Sequence, residues 1–195
     1  MTPGHRLVLA STSPYRRALL QRLGIQFSVA DPGIAEERRA GEAPESMASR
    51  LAEAKALAVA DRYPDNLIVG SDQVAVSGGE ILGKPLTHEN AVRQLGALSG
   101  RAAVFHTAVC VHNSRTGATR VRVVPCTVTF RTLDPEVIER YLAREQPYDC
   151  TGSAKAEGLG IALIAKMESQ DPSALIGLPL IALVDLLREQ GVDVL

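Results

Sequence analysis

The chain has 195 residues, 46% hydrophobic and 22% charged, with a formal net charge of −1. That length suits one domain, or two lobes sharing a sheet, and roughly 70% of the unfolded surface can be buried without a staple. The balanced charge removes the case for general nucleic-acid binding, and no stretch approaches the ~18 apolar residues that a membrane span requires.

The first stretch, RLVLASTSPYRRALLQRL, predicts a strand over Arg6–Ala10, a polar turn at Ser11, Thr12 and Ser13, and a helix from Pro14. Ser13 suits an N-cap because its hydroxyl accepts from unpaired N–H groups of the first turn. Pro14 suits the first helical position, where no N–H is needed. Free N–H groups and the positive end of the helix then converge on an anion site. Arg16 and Arg17 add two guanidinium forks that match phosphate. An ordinary capped helix with solvated arginines fits the same letters, and this stretch alone does not choose. Gly24 stops the helix.

Next come a strand at Ile25–Ala30, a polar loop over 31–44, and a helix over Glu45–Arg62. Met47, Leu51, Ala54, Leu57 and Ala58 stand at helical spacing in it. An apolar strand, Leu67–Val76, is interrupted by Gly70-Ser71-Asp72-Gln73, and a turn at 77–80 leads to a short strand at Ile81–Leu82. Thr87 caps a helix to Leu98, with Gly100 as its stop. Val104–His112 and Arg120–Arg131 form a hairpin. Asp134 and Pro135 begin a helix to Glu145. A small, polar segment follows at 149–160, then a strand at Ile161–Ala165, a loop over 167–178, and a last helix over Pro179–Gln190. Strands alternating with helices, with hairpins inserted, predict an α/β fold on a mixed sheet.

Asp72 is the leading catalytic candidate, since a buried carboxylate needs partners and this one is flanked by small polar residues. A turn carboxylate at a strand end is the plainer alternative. The spacing from Gly78 to Gly83-Lys84 imitates a phosphate-binding P-loop, but Pro85 stands where Ser or Thr belongs. His5, His88, His106 and His112 have no zinc-site spacing. Cys110, Cys126 and Cys150 form no C-x-x-C pair, which predicts reduced thiols and, with no signal peptide, a cytoplasmic protein.

LASTSPYRR, LAEAKA at 51–56, GSDQV at 70–74, LGKPLT at 82–87, LSGR at 98–101, GSAKAEGLG at 152–160 and IGLPL at 176–180 occur in one order. Together they resemble the Maf family of nucleoside triphosphate pyrophosphatases across almost the whole chain. The resemblance implies a single domain over 1–195, with an elongated mixed sheet, flanking helices and two lobes around a central cleft, similar to inosine triphosphatases. It implies Asp72 as proton acceptor, with Lys84 and Glu36 also catalytic, and Ser11, Ser13, Arg16 and Lys55 holding the triphosphate. A divalent cation, magnesium or manganese, is implied at Asp72 and Glu36. The family pattern near P-E-V-D-E reads Pro32-Gly33-Ile34-Ala35-Glu36 here, so Glu36 is the acid that remains of the three.

Members with arginine, threonine and glutamine at the positions of Tyr15, Gln73 and Glu157 favour pyrimidine nucleotides. The trio present here resembles the group that hydrolyses 7-methyl-GTP. A methylated guanine is cationic, so an aromatic face and a carboxylate both attract it. The expectation is therefore hydrolysis of 7-methyl-GTP to 7-methyl-GMP and diphosphate, and the resemblance implies a homodimer. A nucleotide-binding regulator of cell division with little turnover is the rival from another class.

Overall fold

A computed structural model describes residues 6–195; His5 lies outside them. Seven strands form one mixed sheet in the order β2-β1-β3-β5-β6-β7, with β4 paired to β3. The strands are β1 (Arg6–Ala10), β2 (Phe27–Ala30), β3 (Asn66–Ser77), β4 (Glu80–Leu82), β5 (Ala102–Asn113), β6 (Thr119–Phe130) and β7 (Ile164–Ser169). The helices are α1 (Pro14–Gln21), α2 (Pro44–Leu57), α3 (His88–Leu98), α4 (Pro135–Glu145) and α5 (Leu180–Glu189). Two compact units divide the chain: the first holds the chain up to Gln73, Thr107–Val124 and Asp171–Leu195, the second Val74–His106 and Pro125–Gln170.

In the first unit, β1 runs parallel to both β2 and β3, with Leu7, Val8 and Leu9 opposite Leu67, Ile68 and Val69. Parallel strands buried on both faces read as continuous apolar runs, and these do. One core gathers Leu7 and Leu9 with Leu19 and Leu20 of α1, Val109 and Val111 of β5, and Leu183, Leu186 and Leu187 of α5. Ser13 caps α1, its hydroxyl accepting from the Arg16 N–H at 3.4 Å. Gly24 takes φ +68 at the helix exit.

In the second unit, Thr87 caps α3 by accepting from the Asn90 N–H at 3.2 Å. Helix α3 packs on α4. β6 pairs antiparallel with β7, Val128 opposite Met167.

Three expectations are corrected and a fourth is refined. β3 is not interrupted at Gly70–Gln73; its twelve residues form one strand, because the polar letters find buried partners described below. β7 begins at Ile164, and 159–163 are instead a short 3-10 turn. Asp134 is the N-cap residue of α4 and Pro135 its first helical residue, as expected, but the Asp134 side chain makes no capping hydrogen bond. On α2 the buried face is Ala48, Leu51, Ala52, Lys55 and Ala56, while Leu57 is exposed. Apart from Leu51, that face is made of alanines and one lysine. The reason is Gly70 on β3: a Cβ at that position would lie 2.1 Å from the Ala52 carbonyl oxygen. Glycine on the strand and alanines at four-residue spacing on the helix let the two backbones nearly touch.

Candidate active site

That close approach brings Lys55 of α2 to Asp72 of β3. The Lys55 Nζ lies 2.6 Å from Asp72 Oδ1 and 2.6 Å from Glu36 Oε1. Lys55 and Asp72 are 4% and 5% exposed, whereas the Glu36 side chain is 57% exposed. A buried ion pair is expensive to desolvate and is held only by good geometry. Here the geometry is set by helix-on-strand packing. Burial pushes the Asp72 carboxyl above its ordinary range, while Lys55 and then Arg16 pull it back. A carboxylate raised this way is a better proton acceptor than a solvated one.

Glu36 comes from the loop after β2. Asp31 Oδ1 accepts from the Gly33 N–H at 2.9 Å, and Gly33 takes φ +56. The glycine at the position where the resemblance expects a glutamate therefore makes a turn that a side chain would strain. Three residues later the chain presents Glu36 to Lys55.

Arg16 and Arg17 do not converge on one point. Arg16 is half-buried, and its Nε donates to the Gly177 carbonyl at 2.9 Å. Asp72 and Glu36 stabilise its charge against burial. Arg17 is exposed and lines an open surface depression with Gln21, Phe27 and Val29. Ser11 is buried, its Oγ accepting from the Ser13 N–H at 3.2 Å. Tyr15 is half-buried on α1.

The side chain of Gln73 is tied down. Its Nε2 stands 2.9 Å from Thr107 Oγ1 and 3.0 Å from the carbonyls of Ala174 and Leu175. The Ser71 hydroxyl lies 2.7 Å from the Ala108 carbonyl and 2.9 Å from that of Gly177. Sequence reasoning passed over this loop. Asp171, 3% exposed, organises it: Oδ1 accepts from the Ser173 N–H and hydroxyl, and Oδ2 accepts from the Ile181 N–H at the start of α5. An Asp-Pro-Ser ahead of an apolar helix was the available signal.

Asp72, Glu36, Lys55, Arg16, Ser11, Ser13, Tyr15 and Gln73 all belong to the first unit. Lys84 and Glu157 belong to the second, and both are exposed. Glu157 stands in a turn between Ala156 and Gly158.

The Maf-like protein family model matches residues 6–190. The chain belongs to the Maf family. It is 60% identical over 189 residues to a protein of Methylobacillus flagellatus named 7-methyl-GTP pyrophosphatase, covering 97% of this chain and 98% of that protein. A Pseudomonas aeruginosa protein of the same name is 52% identical, with 96% of this chain and 98% of that protein covered. Among solved structures, a HAM1 protein from Coxiella burnetii aligns with a TM-score of 0.44 at 17% identity, over 82% of this chain and 98% of that one. No helix among the described residues is long and apolar enough to cross a membrane.

Proposed function

We propose that this Maf protein is a nucleotide pyrophosphatase that hydrolyses 7-methyl-GTP to 7-methyl-GMP and diphosphate. Near full-length identity to relatives of that name carries the reading, and the buried Asp72–Lys55 pair supplies the chemistry it needs. Water attacks the α-phosphorus, its proton passes to an Asp72 carboxylate oxygen, and diphosphate leaves. Lys55 holds the carboxylate in place. An ammonium has three donors, and two already serve Asp72 and Glu36, so the third direction suits a phosphate oxygen. Arg16 and the Ser11–Ser13 turn add cationic and hydrogen-bonding stabilisation of the phosphates, and Lys84 does so by the family resemblance.

A divalent cation fits the donor set in one form only. Among the described residues no three His, Cys, Asp or Glu side chains group into an all-protein cage. Two carboxylates meet at Lys55, and magnesium is commonly held by one or two carboxylates together with substrate phosphates. Asp72 and Glu36 would hold it, and it would supply charge neutralisation and a lower pKa for the attacking water.

Tyr15, Gln73 and Glu157 select the base. Tyr15 offers a π face to the methylated ring, and Glu157 accepts from the guanine edge. The donors of Gln73 are already engaged, so it contributes through its carbonyl oxygen and through the loop it anchors.

The test is diphosphate release over a nucleotide panel, with magnesium, with manganese and with a chelator. The expected result is metal-dependent turnover with the highest kcat/KM for 7-methyl-GTP. Binding without diphosphate release would instead match a nucleotide-binding regulator of cell division. The triple variant Tyr15→Arg, Gln73→Thr, Glu157→Gln should lower kcat/KM for 7-methyl-GTP relative to dTTP and UTP. An unchanged ratio in a folded, active triple variant removes these residues from base reading.

A further inference from the structure

The segment carrying Glu157 is shaped almost entirely around Lys155. The Lys155 carbonyl accepts from the N–H groups of Gly158 and Gly160, each at 3.0 Å. The Lys155 N–H donates to the Tyr141 hydroxyl at 3.0 Å, and its ammonium lies 3.1 Å from Glu145 Oε1. The other carboxylate oxygen, Glu145 Oε2, accepts from the Leu159 N–H at 2.7 Å. Tyr141 and Glu145 are four residues apart on α4 and so project from one face of it. Tyr141 is 6% exposed. The Glu145 side chain is 12% exposed, while Glu157, between the anchored residues, is exposed.

The glycines are part of this arrangement. A Cβ on Gly158 would lie 2.7 Å from Glu145 Oε2, and one on Gly160 would lie 2.5 Å from the Lys155 carbonyl oxygen. The carboxylate fills the space that glycine leaves open and grips the turn at both ends. An exposed carboxylate on a loop discriminates between bases only when its backbone is fixed, because otherwise each contact must also order the loop.

We propose that Tyr141 and Glu145 are positioning residues for base selection, acting through Lys155 and Leu159 to fix the turn that presents Glu157. The inference rests on the reading of Glu157 as a base-contacting residue. Neither Tyr141 nor Glu145 touches the nucleotide. Their effect appears in discrimination between 7-methyl-GTP and GTP and in the KM for 7-methyl-GTP, with kcat little changed.

The experiment measures kcat and KM for both nucleotides in the unmodified protein, Glu157→Gln, Glu145→Ala, Glu145→Gln, Tyr141→Phe and the Glu145→Ala/Glu157→Gln double variant. Amide exchange across 155–160 is followed in each. Glu145→Ala should speed exchange at Leu159 about tenfold and lower the 7-methyl-GTP preference by about as much as Glu157→Gln does. The double variant should show no further loss, because a released loop has no placed carboxylate left to lose. Glu145→Gln keeps an oxygen for the Leu159 N–H and should retain most of the preference. Tyr141→Phe, which preserves packing, should show a smaller fall of the same kind and keeps the test decisive if Glu145→Ala does not fold. If Glu157→Gln lowers the preference while Glu145→Ala and Tyr141→Phe do not, the positioning role is overturned and the base reading stands. If Glu157→Gln itself leaves the preference unchanged, both are overturned.

Discussion

Each unit lets a helix or its side chain press against a glycine, and the two contacts differ in kind. At Gly70 the obstacle to a side chain is the backbone carbonyl of Ala52, fixed within α2. At Gly158 it is the end of the Glu145 side chain, which can swing. The first contact sets the distance between Lys55 and Asp72, and the second sets the shape of the Glu157 turn. Placement of the proposed proton acceptor is therefore built into backbone packing. Placement of the proposed base-reading group is entrusted to a side chain. Chemistry tolerates little adjustment in such a design, whereas specificity can drift by substitutions on α4.

The largest test of this contrast is Asp72→Asn. Loss of a general base is expected to lower kcat by about 10²-fold or more, measured as diphosphate release. The substitution also bears on the fold, because the buried Lys55 would keep only the exposed Glu36 as a charged partner. The neutral amide escapes the desolvation that raises the Asp72 pKa, and Glu36 still faces Lys55, so thermal unfolding should show a loss of only about 1–2 kcal/mol. The pH dependence follows from the raised Asp72 pKa. The acid limb of kcat/KM should fall above the ordinary carboxylate range. The folded-state pKa exceeds the unfolded one, so the stability that this group contributes is complete below the unfolded pKa. It is lost as pH rises through the folded pKa. An acid limb at the ordinary carboxylate value would remove Asp72 as the titrating base.

Gly70→Ala comes next. Forcing a Cβ against a helix carbonyl should cost about 3 kcal/mol, read from denaturant unfolding, with activity falling as Lys55 and Asp72 separate. A near-neutral result would mean that α2 can slide on β3, and the rigid half of the contrast would be wrong. Glu36→Gln should be milder, about a tenfold loss in kcat/KM, since Lys55 retains its bond to Asp72 and one exposed charged contact is removed. Gly158→Ala should have the smallest effect, about 1 kcal/mol or less in stability, because Glu145 can rotate away. Its signature is a reduced preference for 7-methyl-GTP over GTP. Equal destabilisation by Gly158→Ala and Gly70→Ala would erase the distinction between the two contacts.

Much of the fold was legible because local chemistry and global packing agree. Ser13-Pro14 starts a helix, Thr87 caps another, and apolar β1 sits between two strands. The misreadings have one physical source, which is that partners distant in sequence rewrote the local pattern. Gly70-Ser71-Asp72-Gln73 reads as a break, yet Ser71 bonds to Ala108 and Gly177, Asp72 to Lys55, and Gln73 to Thr107 and Ala174. With those partners the strand continues. On α2 the apolar spacing points to Leu51 and Leu57, while the packed face keeps Leu51 and is otherwise alanine and one lysine. Lys55 itself reads as a solvated helix charge, and only the proximity of β3 makes it a buried one. The resemblance named the acidic and basic residues of the site. It gave no sign that the loop from Asp171 to Gly177 accepts hydrogen bonds from Arg16, Ser71 and Gln73.

That loop has a consequence for how the protein comes into being. The Gly177 carbonyl receives Arg16 from 161 positions earlier and Ser71 from 106 positions earlier. A chain emerging from a ribosome makes α1 and β3 long before it makes their shared acceptor. Contacts of such long sequence separation form slowly, since the intervening chain must be ordered first. Nascent chains that stop short of Asp171 should therefore hold Arg16 without its anchor, and hydrolysis should begin only as the last helix is delivered.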